Sequence, residues 1–234
     1  MAMTYDMLIG AKGTAGSIAT WINSSTIQND MPQIVAEAES WIYRRLRHWK
    51  MLTDPQSGTM TIGNDYITSP SDLLEPFLLW TTGIYFQFLE MRTTQDVIAS
   101  WSYDGSGARV PQQPMLYYQG QGTLRFDSPP DRAYTYNLIY FQQPAPLSVS
   151  NETNFLTATY PRLMRVACMA AASEWMKDSG QGNYDRTYWD QLAMDDIDKA
   201  QAESDRAKRA TVGGMMLVGG GGAPNLSPGY YGGY

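Results

Sequence analysis

Cysteine and histidine are almost missing from this sequence: its 234 residues hold one of each, Cys168 and His48. Zinc sites made of three or four Cys and His ligands therefore cannot form within one chain. An intrachain disulfide cannot form either. Any Ser–His or Cys–His catalytic arrangement would have to use His48. Charge is also sparse, at 17% Asp, Glu, Lys and Arg against an average of about 25%. It sums to −6, which argues against a free-standing duplex-DNA binder held by phosphate contacts. No uninterrupted apolar run approaches the roughly 18 residues of a membrane span. Residues 1–13 place Asp6 ahead of any basic residue, unlike a signal peptide. The expectation is a chain made and used in a reducing, cytosol-like compartment.

What is present is a foldable chain. With 43% hydrophobic and 12% aromatic residues, it can bury a sizeable core as one large domain or two small ones. Residues 1–51 read helical. Thr14 to Ile22 is a short candidate. Met31, Ile34, Val35, Ala38, Trp41, Ile42, Leu46 and Trp49 then fall on one face at helical spacing. Asn29 or Asp30 can cap that helix, with Pro32 in its first turn. Residues 52–147 change to short alternating runs that predict strands at Thr59–Ile67, Leu73–Trp80, Ile84–Met91, Met115–Gln119, Thr123–Phe126 and Ala133–Gln142. Gly120-Gln121-Gly122 suits a tight hairpin, and Thr93 or Thr94 can cap a short helix before Trp101.

Residues 148–211 are helical again. Tyr160, Leu163, Met164, Ala167, Ala171 and Trp175 form one stripe; Gly180-Gln181-Gly182 breaks it. Trp189, Leu192, Ala193, Ile197 and Ala200 form the next, to about Arg209. Residues 212–234 hold nine Gly, two Pro and no charge, which predicts an extended arm without a core of its own. The fold expected is α+β: a bundle of N- and C-terminal helices with a β-rich region inserted between them.

No catalytic constellation emerges. His48, placed on a helix among Arg45, Arg47 and Lys50, reads as a surface or interface histidine that its cationic neighbours would keep from binding metal. Cys168 sits in an apolar stripe and reads as a buried, inert thiol, since a nucleophile needs an electropositive, partly exposed site. Asp195, Asp196 and Asp198 lack the loop and central Gly of a calcium site and read as a solvated acidic face. Gly219 to Gly222 lacks the Lys-Ser/Thr ending of a phosphate loop. Arg44, Arg45, Arg47 and Lys50 are the only basic cluster. Interleaved with Trp41, Tyr43 and Trp49, they either meet acids on a neighbouring subunit or solubilise the helix.

The succession of parts carries a resemblance. A helix bearing Ile34-Val35-Ala36-Glu37-Ala38-Glu39 and Arg44-Arg45-Leu46-Arg47 precedes a β-rich middle. That middle contains Ser69-Pro70-Ser71-Asp72-Leu73-Leu74-Glu75, Gly122-Thr123-Leu124-Arg125-Phe126 and Pro129-Pro130-Asp131-Arg132-Ala133-Tyr134, and it ends in Leu138-Ile139-Tyr140-Phe141 and Pro144-Ala145-Pro146-Leu147-Ser148. Asn151, Asn154, Phe155, Leu156 and Tyr160-Pro161 then open an Ala-rich helix, and a last helix carries Tyr188-Trp189 and Asp205-Arg206. Over about residues 15–211 this order resembles the head-to-tail adaptor proteins of tailed bacteriophages.

The resemblance implies a non-enzymatic virion protein without cofactors, made in the host cytoplasm and located in the neck. It implies a dodecameric ring of identical subunits, with portal protein on one side, tail or nozzle proteins on the other, and double-stranded DNA passing through the bore unbound. On this reading Leu217, Leu226, Tyr230, Tyr231 and Tyr234 are candidates for a portal-binding arm. Trp41, Arg44, Arg45, Arg47 and Trp49 are candidates for the subunit interface. Asp190, Asp195, Asp196, Asp198 and Glu203 are candidates for channel-facing acids. The rival readings are a receptor- or carbohydrate-binding virion protein, drawing on the Tyr- and Trp-rich β region, and a cell-wall hydrolase using two carboxylates.

Overall fold

A computed structural model describes residues 3–82, 86–178 and 186–218. The chain opens with two short helices, α1 (Tyr5–Ile9) and α2 (Ile18–Ile22), followed by α3 (Met31–Arg45). Ser17 caps α2 by accepting the Thr20 N–H, and Asn23 closes it at φ 58°. Pro32 sits in the first turn of α3; Arg44 and Arg45 sit in its last, where the helix dipole favours cations. Asp30 occupies the N-cap position of α3, but its side chain makes no capping bond.

Seven strands follow: β1 (Gln56–Thr59), β2 (Tyr66–Thr68), β3 (Leu73–Thr82), β4 (Gln87–Met91), β5 (Leu116–Gly120), β6 (Thr123–Phe126) and β7 (Thr135–Gln142). They form one curled sheet in the order β1-β7-β3-β4-β5-β6-β2. All pairings are antiparallel except β4 with β5. Helix α4 (Thr94–Ala99) lies between β4 and β5. Thr93 caps it, accepting the Asp96 N–H at 3.2 Å and donating to the Asp96 carboxylate at 2.7 Å.

Where the sequence predicts one strand, Thr59–Ile67, the structure has β1 and β2 on opposite edges of the sheet. Gly63, at φ 75° in the turn between them, is why the run cannot stay extended. The β5–β6 hairpin turns at Gln121-Gly122, with Gly122 at φ 66°. An added Cβ there meets no atom within 4 Å, so only the backbone conformation resists substitution. Gly122→Ala should cost about 1 kcal/mol and lower the thermal midpoint by about 2–4 °C; calorimetry checks this.

Three helices close the chain: α5 (Phe155–Thr159), α6 (Pro161–Asp178) and α7 (Arg186–Val218). A capping box between Asn154 and Thr157 starts α5. α7 runs past Arg209, where the sequence reading ends it. The proposed break at Gly180-Gln181-Gly182 lies outside the described residues.

Two cores result. In the first, α6 packs against α3 and against α7, joining Ile34, Ala38 and Ile42 to Met164, Ala167 and Cys168 and to Ala193 and Ile197. In the second, Leu79, Leu89, Leu124, Phe126 and Leu138 fill the curl of the sheet. Strand β7 serves both through its period of two: Leu138 and Tyr140 face the sheet core, and Phe141 enters the helical one. Each such side chain contributes about 1.5–3 kcal/mol by leaving water.

Candidate functional site

The junction between helices and sheet carries a polar network that ties α3 to α7 and β3. Helix α3 ends when Leu46 turns extended, at φ −86° and ψ 129°. The next N–H groups are taken by α7: Arg47 N donates to the Gln201 side chain at 3.1 Å, and Trp49 N to the Ser204 hydroxyl at 2.8 Å. The Arg47 guanidinium donates to Glu75 of β3 at 2.9 Å and to the Tyr43 carbonyl at 2.8 Å.

His48 is therefore off the helix and neither the surface nor the interface histidine of the sequence reading. It is fully buried, because the chain leaves the helix before reaching it. Its Nδ1 accepts the Lys50 N–H at 3.2 Å. Its Nε2 faces the Tyr160 hydroxyl at 3.0 Å, and Tyr160 donates to Glu203 at 2.7 Å. Burial, and then the Glu203 carboxylate, push the Tyr160 phenol above its ordinary range.

A second network is buried between α3 and the start of α5. Glu39 accepts the Leu147 N–H at 3.0 Å and the Asn154 amide at 2.6 Å, with the Tyr43 hydroxyl at 3.4 Å. Burial raises the pKa of Glu39 against the lowering effect of those three bonds. Cys168 is fully buried. Desolvation, and then Glu39, push its thiol far up, away from a reactive thiolate.

The five interface candidates do not form one patch. Arg47 is committed to Glu75 within the subunit. Trp49 is exposed at the junction beside Lys50, whose Nζ lies 5.8 Å from its ring centre. Trp41, Arg44 and Arg45 stay together on α3. The Arg45 guanidinium stacks 4.3 Å from the Trp41 ring centre, and Arg44 and Arg45 are exposed.

The acids of α7 also divide. Asp196 is buried rather than part of a solvated face, held by Arg162 at 3.3 Å and Lys199 at 3.4 Å. Its position among the core residues Ala193, Ile197 and Ala200 explains that. Asp190 pairs with Arg186 at 3.2 Å, and Glu203 with Tyr160. Asp195 and Asp198 are exposed and, unlike Glu203, make neither an ion pair nor a side-chain hydrogen bond among the described residues. Of the arm candidates, Leu217 falls in the last turn of α7; Leu226, Tyr230, Tyr231 and Tyr234 lie outside the described residues.

One surface was not singled out from the sequence. Phe77, Phe86 and Phe88 are exposed around β3 and β4. Phe86 stands edge-on to Phe88, with centroids 4.7 Å apart, and Trp80 lies beyond Phe88 at 6.4 Å. The signal was strand alternation: with Leu79 and Leu89 inward, their neighbours Trp80 and Phe88 must face outward.

Among the described residues, no group of three or more His, Cys, Asp and Glu side chains is arranged to hold a metal ion. None of the described helices is long and apolar enough to cross a membrane. The surface carries aromatic and charged faces on a two-core α+β scaffold. The chain matches the family described as SU10 adaptor protein over residues 9–214 and belongs to that family of phage head–tail adaptors. It is accordingly a phage adaptor protein, with the virion structural role the family name indicates. No curated protein matches it.

Proposed function

We propose that this chain is the subunit of a ring that sits under the portal, joins the capsid to the tail and surrounds the DNA exit channel. The match to the adaptor family over residues 9–214 carries this reading. The two cores suit it: a bundle of helices from both ends of the chain and a curled sheet beyond the junction offer two faces to two partners, portal on one side and tail or nozzle proteins on the other. The net charge of −6 per copy, multiplied around a ring, repels DNA phosphates and lets the duplex slide.

Mass spectrometry of gradient-purified virions tests it. The expected result is this chain and the portal protein in a ratio close to one to one; absence from particles rejects the neck assignment. The arm is assigned to the portal as part of the same proposal. Truncation after Val218, which removes Leu226, Tyr230, Tyr231 and Tyr234, should weaken portal binding in a pull-down, and unchanged binding would reject that assignment.

A further inference from the structure

We infer that neighbouring copies join head to tail by setting the Trp41–Arg44–Arg45 end of α3 against the outer face of α7 on the next copy. The inference rests on the ring reading and specifies its subunit contact. Helices α3 and α7 each pack on α6, so each keeps a solvent face. On α3 that face ends in Arg44 and in Arg45 stacked on Trp41, with no acid paired to either arginine among the described residues. On α7 the outward positions recur at helical spacing: Tyr188, Gln191, Asp195 and Asp198, with Met194 at their edge. Tyr188 and Met194 are exposed apolar groups, 55% and 39% accessible.

The two faces fit in sign and in kind. One offers two cations over an indole, the other two carboxylates beside a tyrosine and a methionine. Trp, Tyr, Met and Arg are the residue types that interfaces favour. Asp195 and Asp198 are like charges three residues apart on one face, a local repulsion that incoming guanidinium groups would remove. Two different patches on one chain, complementary to each other, make a heterologous contact, and such contacts close into rings when the rotation allows. On this assignment Asp195 and Asp198 sit between copies, not on the channel wall.

The test uses phage lacking the gene, complemented with full-length variants, and quantifies this chain per portal protein in purified particles. Arg44→Glu with Arg45→Glu should reduce incorporation about tenfold or more, because like charges then face each other across the contact. Asp195→Lys with Asp198→Lys should do the same. All four substitutions together should restore incorporation. Wild-type incorporation by either charge-reversed variant overturns the contact.

A cysteine pair gives a second readout that does not depend on the reversed variants folding. Arg44→Cys with Asp198→Cys in assembled particles should give a ladder of cross-linked oligomers on a non-reducing gel. No ladder, in particles that carry the normal amount of protein, overturns the contact and leaves the ring standing. Absence of the wild-type chain from particles is a different failure, that of the ring reading, and the contact falls with it.

Discussion

Replacing Glu39 with alanine is expected to cost about 3–5 kcal/mol, since it strands the buried Leu147 N–H and weakens the hold on Asn154 and Tyr43, at about 1–3 kcal/mol per orphaned group. For a chain of this length that lowers the thermal midpoint by roughly 10 °C. The site matters because Glu39, on α3, ties the first half of the chain to residues 108 and 115 positions later. Glu39→Gln keeps one acceptor oxygen but turns an amide donor toward another donor, so its cost should be smaller, about 1–2 kcal/mol.

The same residue sets a pH dependence. Burial raises the pKa of Glu39 above its ordinary 4.5, so the folded chain binds this proton more tightly than the unfolded one. That stabilisation is fully present below the unfolded value and is lost as pH rises through the raised folded value. Urea unfolding of the wild type and Glu39→Gln across that window should show the wild type losing stability relative to the variant as pH rises. Parallel curves would mean that burial does not govern this carboxyl.

Arg109→Ala is the second large effect, expected at about 2–4 kcal/mol. This one guanidinium pairs with Asp65 and donates to the Phe126 carbonyl at 3.0 Å and the Asp127 carbonyl at 2.8 Å. It also lies 4.1 Å from the Trp101 ring centre. It thereby ties the segment after α4 to the end of β6. Without it, the Asp65 carboxylate keeps Arg125, at 3.8 Å, as its one ion pair among the described residues. Arg109→Lys should recover less than half the loss, because an ammonium cannot span the fork and stack at once. Thermal unfolding gives the size of the effect. Hydrogen exchange gives its place: residues 101–110 and β6 should lose protection while α6 does not. Uniform loss across the chain would reject the local account.

What was legible in the sequence was whatever a short window determines. Alternation gave most strands to within a few residues, because one face of the sheet is buried. Thr93 and Gly122 behaved as their local chemistry dictates. The misses are non-local. Helix α1 has only five residues; Thr4 caps it locally, but Tyr5 N donating to the Glu152 carbonyl and Met3 N to that of Thr157 tie it to the far part of the chain, which no short window contains. The apolar stripe of α3 continues through Leu46 and Trp49, yet the helix stops at Arg45, because Gln201 and Ser204 of α7 accept the N–H groups that follow.

That one displacement changes three side-chain placements. His48 goes from a surface or interface to the interior, Arg47 gains an intrachain ion pair, and Trp49 moves from α3 to the short 3-10 turn that follows it. For the candidate surfaces, residue type was readable from the sequence and partnership was not. Asp195 and Asp196 are adjacent and chemically identical, but only the second faces Arg162. The aromatic face of β3 and β4 follows a related rule: residue type alone does not separate a Phe that faces water from one that faces the core, and only alternation with the inward Leu79 and Leu89 does.

The junction also has a meaning in time. The donors at Arg47 and Trp49 meet their acceptors 154 and 155 residues later. At 5–20 residues per second, a ribosome needs roughly 8–30 s to make that stretch. Throughout that interval the hinge into the sheet is unfinished, and Glu39 waits in the same way for Asn154. A chain that stops before Ser204 cannot complete this junction, and one that stops before Asn154 cannot complete the Glu39 network, so each copy gains these contacts late in its synthesis.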